Sequence, residues 1–300
     1  MKYVLMAISI CFSVISSCLI RTFSNGKQVK GTGDLFIFNA LISVVWTCIL
    51  GVCYIASGAP KISGLTYIFG AVYGIILWSF LITKTLSLSE GPVSLTTLIG
   101  SCAFIIASWF GVIYANEEVN GVQLFGMVIL IFSLALCINP KKSGEKLTAK
   151  WFLYAFLFFL AGGFVGILYK CFGLSRVKGE VNALMLVASV VSAVLFFAAG
   201  CKISTVSAAK KAAVRRDMLL FSLLCGIASC VYQRLNLSLS AIIPAVVFFP
   251  VCNGSMVILS TVLGKIIFKE TLKPVQIAGI FTGLFSIILI GCSSLFLQLF

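Results

Sequence analysis

Few side chains in this sequence are suited to acid–base chemistry. The 300 residues include eight acids and no histidine. All of the acids fall at the ends of long apolar segments or between them, at Asp34, Glu90, Glu117, Glu118, Glu145, Glu180, Asp217 and Glu270. A carrier that exchanges a proton for a cationic drug needs a carboxylate in the middle of such a segment. Proton-coupled export of cations is therefore disfavoured, and an enzyme is not expected, because the acids form no catalytic set.

Twelve cysteines are scattered singly, nearly all of them within the apolar segments, without a Cys-x-x-Cys pair. Metal sites need clustered ligands, and disulfide frameworks belong to small, loop-rich chains. We therefore expect these thiols to pack as small apolar groups, and we expect neither a metal nor a cofactor.

A polar stripe on one apolar segment is better suited to bind a solute. Between positions 218 and 239, polar and small residues recur every three or four positions, which places them on one face of a helix. They are Ser222, Cys225, Gly226, Ser229, Tyr232, Gln233 and Asn236. The corresponding face of an earlier segment holds Trp78. The stripe indicates a cavity wall in which Trp78, Tyr232 and Gln233 contact a solute, and close helix packing is the alternative.

Four further residues are predicted to contact the solute. Arg234 lies about five residues from the middle of its segment, where a charge is costly unless it is paired, wetted or functional. The alternative is that Arg234 snorkels to lipid head groups. Asn39 and Asn182 lie about one turn inside their segments, and they bind a solute or satisfy a neighbouring helix. Asn253 lies close to Pro250, at an expected kink.

Charged residues near the segment ends are expected to have structural roles. Glu117 and Glu270 are predicted to cap the helix that follows each of them, or to pair with a lysine such as Lys273. A gate contact is the alternative. Lys84 and Lys170 are expected to snorkel towards the head groups.

The composition requires a membrane. Of the residues, 61% are hydrophobic and 10% are charged, whereas a soluble domain is about half apolar and a quarter charged. A span needs about 20 mostly apolar residues, and it must be helical because lipid offers the backbone no partner. The net charge of +14 is assigned to anionic lipid head groups and not to nucleic acid. Ten spans are predicted: Tyr3–Phe23, Leu35–Ala56, Leu65–Leu86, Val93–Ala115, Val122–Ile138, Trp151–Gly173, Val181–Cys201, Met218–Leu239, Ala245–Phe268 and Val275–Leu297.

The sequence repeats itself after half its length. Residues 108–126 read SWFGVIYANEEVNGVQLFG, and residues 261–279 read TVLGKIIFKETLKPVQIAG. Glu117, Gln123 and Gly126 thus recur 153 positions later, and shorter matches follow the same order elsewhere. Residues 1–140 and 141–300 are therefore predicted to be two repeats of five spans each. Because five is odd, the second repeat must enter the membrane in the opposite orientation to the first.

Ten helices in two inverted five-helix repeats, with Glu-x5-Gln-x2-Gly opening the last helix of each half, resemble the EamA-type members of the drug/metabolite transporter superfamily. The resemblance covers the whole chain. It implies a central cavity lined by spans one to four and six to nine, with spans five and ten peripheral, and it implies secondary transport of small metabolites or drugs. Asn39 and Asn182 stand where many relatives carry a basic residue, so the class of solute stays open.

We therefore expect an all-α membrane protein that moves a small neutral, zwitterionic or anionic metabolite by alternating access, as a facilitator or an exchanger. The alternatives are an ion-coupled exporter and, outside transport, a receptor or assembly protein. The expected partners are the metabolite and the lipid bilayer, without nucleic acid, and a homodimer is left open. The expected location is the bacterial plasma membrane. Lysine and arginine are more frequent after odd-numbered spans, which favours termini outside, whereas the resemblance implies termini inside.

Overall fold

The computed structural model describes residues 1–25, 32–90, 93–137, 148–203, 211–268 and 273–293. In all, 88% of the structure is helix, and the described residues contain no strand. The helices are α1 (Lys2–Asn25), α2 (Thr32–Ala56), α3 (Gly64–Glu90), α4 (Val93–Ser101), α5 (Phe104–Tyr114), α6 (Gly121–Cys137), α7 (Ala149–Leu174), α8 (Val181–Ile203), α9 (Lys211–Ser240), α10 (Ala245–Phe268) and α11 (Pro274–Gly291). Glu270 and the last residues of the fifth and tenth predicted spans lie outside the described residues.

The chain is an α-helical, multi-pass membrane protein. Eight of the described helices are long and apolar enough to cross a membrane. Two shorter apolar stretches, Leu98–Tyr114 and Gly121–Cys137, cover the predicted fourth and fifth spans. Helix is the structure that such apolar runs must adopt, because it satisfies every backbone hydrogen bond within the segment.

The prediction of one continuous fourth helix is wrong. The backbone tightens between α4 and α5, where Ala103 N–H donates to Gly100 and Ile105 N–H donates to Cys102, three residues back instead of four. Gly100 faces the ring of Phe158, and a Cβ at this position would collide with that ring. Close packing against Phe158 therefore coincides with the break.

The chain folds into two compact units. Unit 1 comprises Met1–Trp78 and Ser175–Ser238, and unit 2 comprises Ser79–Leu174 and Leu239–Phe300. Each unit contains segments from both predicted repeats, so the units are a different division of the chain from the halves 1–140 and 141–300. The reason is that sequence-related helices pack against each other inside each unit.

In unit 2, α6 and α11 form an antiparallel pair with matched contacts. The Ser133 hydroxyl donates to the Gly279 carbonyl oxygen at 2.8 Å, and the Ser286 hydroxyl donates to the Gly126 carbonyl oxygen at 2.7 Å. The repeat offset of 153 relates Ser133 to Ser286 and Gly126 to Gly279, so each bond is the counterpart of the other with the two helices exchanged. A Cβ at Gly126 would meet Ile290 at 2.7 Å, and small residues let membrane helices approach this closely. The two contacts are thus related by a local twofold.

In unit 1, α2 and α8 are also antiparallel. Ser43 bonds Ser192 at 3.1 Å, and Thr47, one turn further along α2, bonds Ser189, one turn earlier on α8. The glycines of α3 bring its first turns onto α8, where a Cβ at Gly74 would come within 2.8 Å of the Ala188 carbonyl oxygen. Hydrogen bonds between hydroxyls and close contacts at glycines hold these helices together. The hydrophobic effect does not, because lipid is as apolar as the helix surfaces.

The glycine-rich face of α7 packs on α5 within unit 2. A Cβ at Gly163 would meet the side chain of Ile106 at 2.5 Å, and Gly166 lies against Ala107. Near the start of α7, the Trp151 indole N–H donates to the Thr96 hydroxyl of α4 at 3.0 Å. These contacts fix α7 along the length of the broken α4–α5 segment.

Candidate functional site

Four buried or half-buried hydroxyls join α2 to α8 in unit 1, and we call them the hydroxyl seam. Thr47 donates to Ser189 at 2.9 Å, and Ser192 bonds Ser43 at 3.1 Å. Some of these groups also bond carbonyl oxygens of their own helix, as Thr47 does to Ser43 and Ser192 to Ser189. The seam gives the interior of unit 1 a polar line in an otherwise apolar helix pair.

Two further polar contacts tie α9 to the other helices of unit 1. The Trp46 indole N–H of α2 donates to the Ser229 hydroxyl at 2.9 Å. The Ser9 hydroxyl of α1 lies 2.6 Å from Asn236 Oδ1 and 3.2 Å from the Tyr232 carbonyl oxygen. Part of the predicted polar stripe therefore serves helix packing, which was the alternative interpretation for those positions.

Arg234 and Asn182 are the predicted site residues that the structure brings into direct contact. Arg234 Nε donates to Asn182 Oδ1 at 2.7 Å. The Arg234 side chain is exposed, and no described carboxylate forms an ion pair with it. Asn182 is the second residue of α8, so the guanidinium lies at the positive end of that helix. The contact fixes the Nε edge of the guanidinium.

Asn39 does not join this pair. The antiparallel register sets Ser43 level with Ser192, which places Asn39 and Asn182 towards opposite ends of α2 and α8. About 14 residues separate the two levels, or roughly 21 Å of helix. Asn39 and Asn182 are thus related by the sequence repeat without being neighbours in space.

The other predicted positions in unit 1 are partly buried. Tyr232 and Gln233 are half-buried on α9, one turn before Asn236. Trp78 is half-buried on α3, and its indole nitrogen is shielded and has no hydrogen-bond acceptor among the described residues.

Asn253 belongs to unit 2, on α10. Its side-chain amide donates to the Phe249 carbonyl oxygen of the same helix at 2.9 Å. The bond lies beside Pro250, the proline inside α10 that interrupts the backbone ladder. The amide thus supports the helix next to this interruption.

A buried charged cluster in unit 2 was not predicted. Glu117 and Lys170 form an ion pair whose side chains are 11% and 7% exposed. Lys170 Nζ also donates to the carbonyl oxygens of Ser240 and Ile243, at 3.2 and 3.3 Å. The expectation that Lys170 snorkels is therefore wrong, because the ammonium finds three oxygens inside the protein.

Glu117 caps α10 and not the helix that follows it. Its Oε2 accepts from Ala245 N–H at 2.6 Å and from Val246 N–H at 3.4 Å. These are two of the amides that the first turn of a helix leaves unpaired, and a carboxylate there is favoured by the helix dipole. Glu117 was predicted to cap α6 or to pair with Lys273. In the structure it caps α10 and pairs with Lys170.

The turn after α5 directs Glu117 towards α10. Asn116 has φ 50°, a left-handed conformation that asparagine tolerates better than most residues. Glu117 N–H then donates back to the Gly111 carbonyl oxygen at 3.2 Å. The carboxylate lies directly over Gly111, where a Cβ would come within 2.7 Å of Oε2 and 2.6 Å of Ala245. Glycine is required at 111 because the carboxylate and α10 occupy the space of a side chain.

The repeated glutamine has a capping role in both copies. Gln123 Oε1 accepts from Asn120 N–H at 3.2 Å, and Gln276 Oε1 accepts from Lys273 N–H at 3.0 Å. Gln276 Nε2 also donates to the Cys137 carbonyl oxygen, at the end of α6. Within the described residues, the repeated Glu, Gln and Gly thus cap helices and allow close packing.

A cavity of about 300 Å³ opens between α4 and α7. Its lining is wholly apolar and holds none of the predicted site residues: Leu98, Ile99, Cys102, Phe152, Phe156 and Phe159. Phe152 is 63% exposed, so the groove is open to the lipid-facing surface.

Sequence reasoning overlooked the hydroxyl seam and the charged cluster. The seam had a signal, since serine and threonine recur at three- or four-residue spacing in both α2 and α8, just after the Asn-Ala-Leu of Asn39–Leu41 and its copy at Asn182–Leu184. The partners of Glu117 had none, because Lys170 and Ala245 are distant in sequence.

No protein-family model and no curated protein matches the chain. Among solved structures, 29 chains match it. One of them, a crystal structure, aligns with 96% of this chain and 98% of its own length, with a TM-score of 0.73 and 10% identity. At that identity the likeness shows a shared fold and carries no function.

Proposed function

We propose that this protein is a secondary transporter that moves a small metabolite across the membrane by alternating access. In this proposal the halves 1–140 and 141–300 are inverted repeats of five spans, as in the EamA-type drug/metabolite transporters that the sequence resembles. The proposed location is the bacterial plasma membrane.

One observation carries the proposal: the matched Ser–Gly bonds between α6 and α11. Helices that correspond in sequence should run in opposite directions through the membrane if the second repeat is inverted. Ser133 and Ser286 each bond the glycine of the other helix in an antiparallel pair. The α2–α8 pair, which contains Asn39 and Asn182, is antiparallel as well. Both packings support inversion, on which alternating access around a shared site depends.

Arg234 favours a solute that carries negative charge, within the wider class of neutral, zwitterionic and anionic metabolites. Its guanidinium is oriented by Asn182 at 2.7 Å and has no described carboxylate partner. An arginine held in this way presents a fork of donors that fits a carboxylate or a phosphate. None of the described acidic residues lies within a helical stretch long and apolar enough to cross the membrane, so the proposal includes no proton-exchanging acid within a span.

The test is uptake into proteoliposomes that contain the purified protein. Four labelled solutes represent the candidate classes: L-alanine, uracil, N-acetylglucosamine and glucose 6-phosphate. Each is measured with and without the same solute inside the liposome, which separates exchange from facilitated diffusion. We expect at least one solute to enter faster than into empty liposomes. Uptake no faster than in empty liposomes for all four would contradict the proposal.

Variants connect the uptake to Arg234. Arg234→Ala should raise KM for a carboxylate or phosphate solute roughly tenfold or more, because a charged hydrogen bond is lost. Arg176→Ala is the matched control, since Arg176 is an exposed arginine in the loop before α8 and has no described contact with Asn182. Equal effects of the two substitutions would remove Arg234 from the site. Dissipating an imposed pH gradient tests the alternative of ion-coupled export, which predicts that uptake stops.

A further inference from the structure

The indole N–H of Trp78 is a buried donor that no described residue accepts. Its Nε1 atom is shielded, and no acceptor lies within hydrogen-bond reach of it in the part of the chain that the structure describes. Trp46 and Trp151 instead donate to serine and threonine hydroxyls at 2.9 and 3.0 Å. Leaving a buried donor unpaired costs free energy, so an unpaired donor in a native protein needs an explanation.

The repeat shows which bond is missing. Leu86–Ser89 recurs at Leu237–Ser240, 151 positions later, and Asn39–Leu41 recurs at Asn182–Leu184, 143 positions later. At these offsets Trp78 corresponds to Ser229, and Trp46 corresponds to Ser189. The bond from Trp46 to Ser229 therefore has a repeat-related counterpart, from Trp78 to Ser189. That counterpart is not formed, and Ser189 bonds Thr47 instead. The Trp46 indole is thus paired within the protein, whereas the Trp78 indole has no acceptor among the described residues.

Trp78 also lies beside the hydroxyl seam. It follows Gly74 by one turn, on the face of α3 that touches α8. Gly70 meets Val187 and Gly74 meets Val191, so α3 and α8 advance together by four residues per turn. Gly70 and Gly74 also lie beside the carbonyl oxygens of Leu184 and Ala188. Continued by four residues, this register sets Trp78 level with the side chain of Leu195 and with the backbone carbonyl of Ser192. Trp78 thus stands at the end of the close α3–α8 contact, at the level of one residue of the hydroxyl seam.

We propose that Trp78 Nε1–H is a donor to the transported solute, and that the solute carries a carbonyl, carboxylate or similar oxygen that reaches this nitrogen. The inference rests on the proposed transport function. It adds a required chemical feature of the solute and a specific atom of the protein that reads it.

Indole nitrogen NMR tests this without a transport assay. The chain has four tryptophans, and ¹⁵N-indole labelling in nanodiscs gives one N–H resonance for each. Trp78→Phe and Trp46→Phe identify their two signals by loss. Without solute, the Trp78 proton should resonate upfield of those of Trp46 and Trp151, because it is not hydrogen-bonded. Titration with each of the four solutes of the uptake panel should move the Trp78 signal downfield for at least one and leave the Trp46 signal in place.

The same two variants separate binding from folding. Both substitutions remove a similar volume, but only Trp46→Phe breaks a bond within the protein. The Tm of Trp46→Phe should therefore be lower than that of Trp78→Phe by about 2 °C or more. Trp78→Phe should raise KM for a transported panel solute by about threefold to tenfold, whereas Trp46→Phe should leave KM within twofold.

The outcomes distinguish this inference from the transport proposal. A Trp78 signal as far downfield as that of Trp46 in the absence of solute overturns the inference, since the donor is then already paired. Uptake by the wild-type protein without any change at Trp78 also overturns it and leaves transport standing. A solute-dependent shift at Trp78 without uptake supports the site and contradicts the transporter.

Discussion

Neutralising one member of the Glu117–Lys170 ion pair should destabilise the protein. Exchanging the two residues should not restore the lost stability. Glu117→Gln leaves the Lys170 ammonium without its counter-ion, at a site where the two side chains are 11% and 7% exposed. Removing one partner of a buried pair costs about 3–5 kcal/mol. At roughly 2–4 °C per kcal/mol, Tm should fall by on the order of 10 °C.

The double exchange, Glu117→Lys with Lys170→Glu, keeps the two charges opposite. It reverses everything else around them. A lysine at 117 would place its ammonium against the N–H groups of Ala245 and Val246, and a glutamate at 170 would face the carbonyl oxygens of Ser240 and Ile243. Both new contacts are repulsive, so the double exchange should be at least as unstable as Glu117→Gln. The neutral pair Glu117→Gln with Lys170→Met should be more stable than Glu117→Gln alone, because no charge is left unpaired.

The assay is thermal unfolding of the detergent-purified variants, followed by tryptophan fluorescence and by recovery of monodisperse protein. Glu118→Lys is the matched control, since Glu118 is the exposed neighbour of Glu117 and an exposed substitution changes stability by about 0.5 kcal/mol or less. A double exchange that recovers the wild-type Tm would refute the reasoning, because it would show that the two charges interact with each other and not with the ends of the helices around them.

Three further sets of substitutions test a glycine contact, the paired serine bonds and a left-handed turn. Gly126→Ala places a methyl group against Ile290 and should cost about 1–3 kcal/mol in thermal unfolding, whereas Gly121→Ala, with open space around it, should be neutral or stabilising; equal Tm values would deny the tight α6–α11 contact. Ser133→Ala and Ser286→Ala should each cost about 0.6 kcal/mol, and clearly unequal losses would contradict the local twofold. Asn116→Val should cost roughly 1–2 kcal/mol because its φ is positive, with Asn116→Gly as the tolerated control; tolerance of valine would show that the turn is not left-handed.

The helices were predictable because each apolar run has to be helical in lipid. The start of α8 at Val181 and that of α10 at Ala245 agree with the predicted spans to the residue. The break between α4 and α5 follows Gly100-Ser101, a type of pair at which helices often kink, but its packing partner Phe158 lies on another helix and is not readable from the local sequence. Hydrophobic periodicity indicates which segments enter the membrane, but it carries no information about the distant side chain that packs against one of them.

The candidate site was less predictable for a related reason. Arg234 and Asn182 were each named from depth and polarity, and their contact at 2.7 Å depends on packing that single segments do not encode. Lys170 bonds Ser240, which lies 70 positions later in the sequence, and Glu117, which lies 53 positions earlier. A residue type shows what a side chain can bond, and only the assembled helices decide which group is within its reach.

The paired Ser–Gly contacts of α6 and α11 make this helix interface self-complementary. A closed homodimer needs a surface that is complementary to a copy of itself rotated by 180°. Because Ser133 bonds Gly279 just as Ser286 bonds Gly126, the helix pair could be closed equally by two identical subunits, each half as long, inserted in opposite directions. A single gene for such a subunit would therefore encode both sides of this helix contact.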